Sequence, residues 1–72
     1  MYVKLLDYTK RPPGVLATIR VDHGQLIIEG TVPPAIKSQI EMVKARSSGE
    51  SLFLRSLLTE FSGSYLRAKF IP

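Results

Sequence analysis

The spacing of hydrophobic residues changes from helical to strand-like in the last third of the chain. Apolar side chains recur at the helical spacing i, i+3, i+4, i+7 from Leu54 to Phe61, and Ser62-Gly63 ends this pattern. From Tyr65 onward the pattern alternates between two faces. The apolar face holds Leu66, Ala68 and Phe70, and the polar face holds Tyr65, Arg67 and Lys69. This change predicts a buried helix that leads directly into a half-buried strand.

Three short strands are predicted in the amino-terminal part of the chain. The first alternates apolar and polar residues from Tyr2 to about Tyr8, and a proline-rich loop follows it. The second alternates over Val15–Val21, with Val15, Ala17, Ile19 and Val21 on one face. A three-residue turn, Asp22-His23-Gly24, connects it to a third strand, Gln25–Glu29. Such a short connection with glycine in its last position predicts an antiparallel hairpin.

Two helices are predicted after the third strand. The first opens at Pro33-Pro34, because proline is tolerated in a first helical turn, and its apolar stripe is Ile36, Ile40 and Val43. The second runs from about Ser51 to Phe61. The sequence therefore predicts one α+β domain spanning residues 1–72, in the order β-β-β-α-α-β. In this fold a small antiparallel sheet is covered on one face by two helices.

The size of the chain limits what its core can supply. A domain of 72 residues buries only about 60% of the surface that its unfolded chain exposes, and this chain has no cysteine to add a disulfide or a thiolate metal site. Its composition, 44% hydrophobic and 22% charged, is that of a globular domain. Either the fold packs efficiently, or it completes its core against a partner or a second copy.

Charge leaves several classes of partner open. The net charge of +4 permits binding to nucleic acid, to an anionic membrane or to an acidic protein, and the basic residues are scattered along the chain. The pattern shows neither the apolar segment of a signal peptide nor the roughly 18 apolar residues of a membrane span. We therefore expect a soluble cytoplasmic protein without membrane contact.

No constellation of residues predicts catalysis, a cofactor or a metal. His23 is the only histidine and lies in a predicted turn, where an exposed side chain is expected. We expect the adjacent Asp22 to point away from it, as neighbours in extended chain do. No close carboxylate pair and no glycine-rich nucleotide motif is present. The sequence predicts a protein that is not an enzyme.

A basic and aromatic stripe is one candidate interaction site. If the first and last strands pair, one sheet face carries Tyr2, Lys4, Tyr65, Arg67 and Lys69. Such a surface suits base stacking and phosphate contact with single-stranded nucleic acid. The alternative is the ordinary solvated face of a small sheet, since tyrosine is a good strand former and the open face of such a sheet is polar.

The second helix is the other candidate. Its apolar residues cover more than one narrow stripe, so one side either completes the core or faces a protein partner. The predicted contact residues are Leu52, Phe53 and Leu57, and Phe53 is favoured because it stands outside the stripe that begins at Leu54.

One segment resembles a group of known proteins. Gly49-Glu50, Phe53-Leu54, Leu57 and the run Phe61–Ala68, Phe-Ser-Gly-Ser-Tyr-Leu-Arg-Ala, resemble the closing motif of small uncharacterised phage and prophage proteins. The resemblance covers about the last third of the chain. It implies no activity, and it favours a small phage-type accessory or structural protein.

Two functions follow from these patterns. The leading prediction is a non-enzymatic interaction module, a small assembly or accessory protein that binds another protein or itself. The alternative is a single-stranded nucleic-acid-binding module that uses the tyrosine, lysine and arginine face.

Overall fold

The computed structural model describes residues 1–72 and contains four strands and two helices in the predicted order. The strands are β1 (Tyr2–Asp7), β2 (Gly14–Asp22), β3 (Gln25–Gly30) and β4 (Leu66–Ile71), and the helices are α1 (Pro34–Ala45) and α2 (Glu50–Glu60). The strands form one antiparallel sheet in the order β3-β2-β1-β4. The predicted α+β class and element order are confirmed.

The core lies on one face of the sheet, under both helices. Its fully buried side chains alternate along the central strands, because successive residues of a strand point to opposite faces. The cluster comprises Val3, Leu5, Ile19, Ile40, Val43, Phe53, Leu54, Leu57 and Phe61. Leu66, Ala68 and Phe70 of β4 pack against it, as the alternation predicts. The other face of the sheet is left without a covering layer.

The connection between β2 and β3 is shorter than predicted. The loop is two residues, His23-Gly24, and Asp22 already pairs with Gln25. Both loop residues have positive φ, 51° and 78°, as the two central residues of a type I′ turn require. The right-handed twist of the flanking strands favours this tight turn over a looser three-residue loop.

A bulge in β2 breaks the predicted alternation at Val15. Leu5 pairs with Ala17 whereas Leu6 pairs with Val15, so Leu16 is an extra residue in the ladder. Val15 is consequently 54% exposed, and the prediction that it shares the buried face of Ala17 is wrong. Its side chain turns to the open face of the sheet.

The bulged segment also determines the residue that ends β3. Gly30 has a φ of 116° and lies against the backbone of Leu16 and Ala17. A Cβ atom there would collide with the Leu16 carbonyl oxygen and come within 2.9 Å of the Ala17 Cα. Only glycine fits this position without moving the main chain.

The buried face of α2 includes Phe53, which the sequence pattern placed outside the stripe. Phe53, Leu57 and Phe61 lie four residues apart, so they form one ridge along the helix, and this ridge faces the core together with Leu54. Phe53 and Leu57 have no exposed surface. The prediction that they contact a partner is therefore wrong for the folded monomer, and of the three predicted contact residues only Leu52 is exposed.

Substitution of two leucines in the same helix tests this arrangement. We expect Leu57→Ala to lower the free energy of unfolding by about 2–5 kcal/mol, since it leaves a cavity in the core. Leu52→Ala, the matched control, should change it by no more than about 0.5 kcal/mol. Urea unfolding of both variants measures the difference. Equal losses would contradict the orientation of α2.

Candidate functional site

The open face of the sheet brings together the residues of the basic and aromatic stripe. β1 and β4 pair directly, so the condition on which this site depended is met. Lys4 lies opposite Lys69, Leu6 opposite Arg67, and Tyr2 opposite Ile71. Paired residues of an antiparallel ladder point to the same face, with Cβ atoms about 4.5–5.5 Å apart. The two lysines therefore share one short stretch of surface.

A tyrosine that sequence reasoning missed extends this surface. The Tyr8 backbone N–H donates to the Tyr65 carbonyl oxygen at 2.7 Å, so the β1–β4 ladder continues one pair beyond the strands. The Arg67 guanidinium lies over the Tyr8 ring, 5.6 Å from its centroid. Tyr8 is 37% and Tyr65 69% exposed. We call Tyr2, Lys4, Tyr8, Tyr65, Arg67 and Lys69 the cationic stripe.

The cations of the stripe have no carboxylate partners. No ion pair within 4.0 Å involves Lys4, Arg67 or Lys69. Arg20, on the neighbouring β2, differs, because it contacts Asp22 at 3.7 Å and Glu29 at 3.5 Å. Two like charges placed directly opposite each other in a sheet destabilise it, so we expect the Lys4–Lys69 pair to lower the stability of the β1–β4 ladder.

Aliphatic side chains border the stripe on the same face. Ladder partners and the exposure of Val15 place Leu6, Val15, Ile27 and Ile71 there. This open face is therefore a mixed apolar and basic surface. The alternation within one strand predicts which of its residues share a face. Only the order of the strands shows which residues of different strands lie side by side on that face.

The two edges of the sheet are treated differently. Along the outer edge of β4, the Ala68 N–H donates to the Phe61 carbonyl oxygen at 2.8 Å, and the Gly63 N–H donates to the Leu66 carbonyl oxygen at 3.2 Å. Ser62 forms a bridge with Arg67. The connection from α2 thus covers the beginning of this edge, at Leu66 and Ala68, and the strand carries the charged side chains of Arg67 and Lys69.

The outer edge of β3 has no such cover. The residues that flank a two-residue hairpin loop bond to each other, so the backbone groups of Gln25, Ile27 and Glu29 point to β2. The next residue in this alternation, Thr31, also bonds toward β2, because its N–H donates to the Leu16 carbonyl oxygen at 3.2 Å. The N–H and C=O groups of Leu26 and Ile28 therefore point outward. No turn, loop or side-chain hydrogen bond reaches them.

His23 is 93% exposed at the hairpin tip, as a turn histidine is expected to be. Its Nδ1 atom lies 2.9 Å from Asp22 Oδ1, which corrects the expectation that Asp22 points away. The contact arises because His23 is left-handed and not extended. No cavity adjoins this pair, and no group of three metal-ligating side chains occurs in the structure.

Two carboxylates are stabilised in their charged form. A hydrogen bond from the Thr9 hydroxyl holds the pKa of Asp7 below its usual value. The Gln39 amide, which donates to Glu60 Oε1 at 3.0 Å, lowers the pKa of Glu60, and Arg46 assists from 3.1 Å. Both are structural: Asp7 orders the turn after β1, and Glu60 ties α2 to α1.

Comparison of the chain with protein-family models, with curated proteins and with solved structures finds no match in any of the three. None of the helices has the length and apolar character needed to cross a membrane.

Reversal of the charge at Lys69 tests whether repulsion within the cationic stripe lowers the stability of the fold. We expect Lys69→Glu to raise the free energy of unfolding by about 0.2–1 kcal/mol, because it turns the repulsion with Lys4 into attraction. Arg55→Glu, on the exposed side of α2, is the control because it changes the net charge equally. Urea unfolding at low salt compares the two. A Lys69→Glu variant no more stable than the control would show that the ammonium groups do not repel.

Proposed function

We propose that the protein is a non-enzymatic interaction module, a small assembly or accessory protein that binds another protein or itself. The observation that carries this proposal is the uncovered edge of β3. Natural sheets protect their edges with lysine, proline, bulges or covering segments, because the unpaired N–H and C=O groups of a free edge can pair with an extended strand of another chain. In this sheet the segment after α2 covers the beginning of the β4 edge, whereas no segment covers the β3 edge.

The chemistry of β3 supports strand addition. Its sequence, Gln-Leu-Ile-Ile-Glu-Gly, contains neither lysine nor proline, and its central residues are aliphatic. An added strand would gain main-chain hydrogen bonds from Leu26 and Ile28 and side-chain contact with Ile27. The resemblance of Phe61–Ala68 to small phage and prophage proteins also supports an assembly or accessory role. We propose that the protein acts in the cytoplasm.

A peptide tests strand addition directly. The probe is a peptide of alternating valine and threonine, about eight residues long. At roughly ten times its Kd, we expect amide exchange at Leu26 and Ile28 to slow about tenfold, because binding buries their N–H groups. Exchange at Ile27 and Glu29, whose N–H groups already bond to β2, should change far less.

The control peptide has the same sequence with every amide N-methylated, which removes the hydrogen-bond donors of both edges and keeps the side chains. It should protect neither residue. Unchanged exchange at Leu26 and Ile28 with the unmodified peptide would contradict strand addition at β3.

The second candidate function is single-stranded nucleic-acid binding through the cationic stripe. The observation that favours it is the juxtaposition of three unpaired cations, Lys4, Arg67 and Lys69, with exposed tyrosines. Phosphates would lie between the lysines, and bases would stack on the ring of Tyr65 and on the Arg67 guanidinium. Arg67 is already held over Tyr8, so little side-chain freedom remains to be lost on binding.

Salt dependence tests this second function. We expect Arg67→Ala and Lys69→Ala each to weaken binding of a short oligonucleotide, and each lost phosphate contact to reduce the salt slope by about 0.7. Arg55→Ala, which removes a cation outside the stripe, should leave the slope unchanged. Absence of binding by the parent protein at low salt would eliminate this function and leave strand addition untouched.

A further inference from the structure

The free edge of β3 is complementary to itself. Its outward-pointing backbone groups belong to Leu26 and Ile28, whose side chains pack toward the core, while Ile27 lies on the open face. Two antiparallel copies of β3 can exchange hydrogen bonds only where outward-pointing residues meet. Leu26 opposite Ile28 of a second copy satisfies this condition twice, once on each side of a two-fold axis.

We infer that the partner of β3 is a second copy of this chain, paired antiparallel with Ile27 on the two-fold axis. This inference rests on the proposed function of strand addition. It joins the two sheets into one of eight strands, and it places both helical layers on the same side. Homodimers formed by such isologous contacts bury the same patch of each subunit.

The side chains of this register match across the axis. On the open face, Ile27 meets the second copy's Ile27, and Gln25 meets the second copy's Glu29 on either side. The amide of Gln25 can donate to that carboxylate, so a polar pair flanks a central apolar pair. On the core face, Leu26 meets Ile28 and extends the apolar layer from one subunit to the other.

Neighbouring registers lack this match. With Ile28 on the axis, Ile27 would lie opposite a glutamate and Leu26 opposite Gly30, which has no side chain. A shift by one residue would set Leu26 and Ile28 of one copy opposite residues of the other whose N–H and C=O groups already bond to β2, so no hydrogen-bonded ladder would form.

Disulfide cross-linking of single-cysteine variants can determine the register of the two β3 strands, because the chain contains no cysteine of its own that could react. In the inferred dimer Ile27 faces its copy in a non-hydrogen-bonded pair, with Cα atoms about 4.5 Å apart, within reach of a disulfide. We expect Ile27→Cys to cross-link about tenfold or more faster than Ser38→Cys, an exposed control on α1, because the paired thiols are held at high effective concentration.

Two further variants fix the direction of pairing. Gln25→Cys lies about 14 Å from its own copy but next to the second copy's residue 29. Gln25→Cys and Glu29→Cys should therefore each cross-link no faster than the control when alone, and form a mixed dimer when combined. Rapid cross-linking of Gln25→Cys alone would place the two-fold axis at residue 25 and overturn the inferred register.

Sizing of the unsubstituted protein separates this inference from the function on which it rests. Its molar mass should rise toward twice the monomer value with concentration. Ile27→Glu should remain monomeric and folded, because its carboxylate would pair with Arg20 but repel its own copy on the axis. A parent that stays monomeric, with no cross-linking at Ile27→Cys, would overturn the dimer, whereas protection of Leu26 and Ile28 by the peptide would still support strand addition.

Discussion

The pairing of β1 with β4 is the interaction on which the rest of the structure depends. It places β1 in the interior of the sheet, so Val3 and Leu5 lose all exposure to water. It also brings β4 under α2, where Phe70 and Leu66 join the core. The same ladder sets Lys4 against Lys69 on the opposite face. The buried side of this pairing therefore stabilises the sheet against the repulsion on its open side.

A sheet covered on one face only has limited means of stabilisation. Its core is a single cluster of nine buried residues between two helices and the sheet. The open face and the β3 edge contribute little to that cluster, so they are the parts of the molecule that are free to bind. The Phe61 carbonyl oxygen and the Gly63 N–H bond to Ala68 and Leu66 and so cover the beginning of the β4 edge. No comparable segment runs along β3, so the backbone groups of Leu26 and Ile28 point outward without such partners.

The sequence predicts elements whose pattern is local and misses features that depend on neighbours. The sequence predicts the alternation of β4 and the apolar stripe of α1 correctly, since each pattern depends only on which side of a single element packs on the core. The stripe counted from Leu54 predicts a surface position for Phe53, whereas Phe53 is as fully buried as Leu54 because it lies on one ridge with Leu57 and Phe61. The alternation of β2 predicts a core position for Val15, because no single-strand pattern reveals a bulge, which depends on the partner strand.

The candidate site divides in the same way. The alternation of Tyr65, Arg67 and Lys69 identifies one half of the cationic stripe, and Tyr2 and Lys4 identify the other, conditional on pairing. Tyr8 lay outside both patterns because its place depends on one backbone bond to Tyr65 beyond the strand ends. The β3 edge could not be found by composition, because an edge is defined by strand order.

The β1–β4 ladder also has a consequence for the order of folding. The hairpin of β2 and β3 closes through a two-residue turn, so it can form early and locally, on a microsecond scale. β1 must wait for β4, which is made after both helices, before its second edge is paired. Until then the nascent sheet has two exposed edges, β1 and β3. The pairing of β4 with β1 covers the first and leaves the second exposed. During synthesis on the ribosome the growing protein is therefore most prone to mispairing just before its last strand emerges.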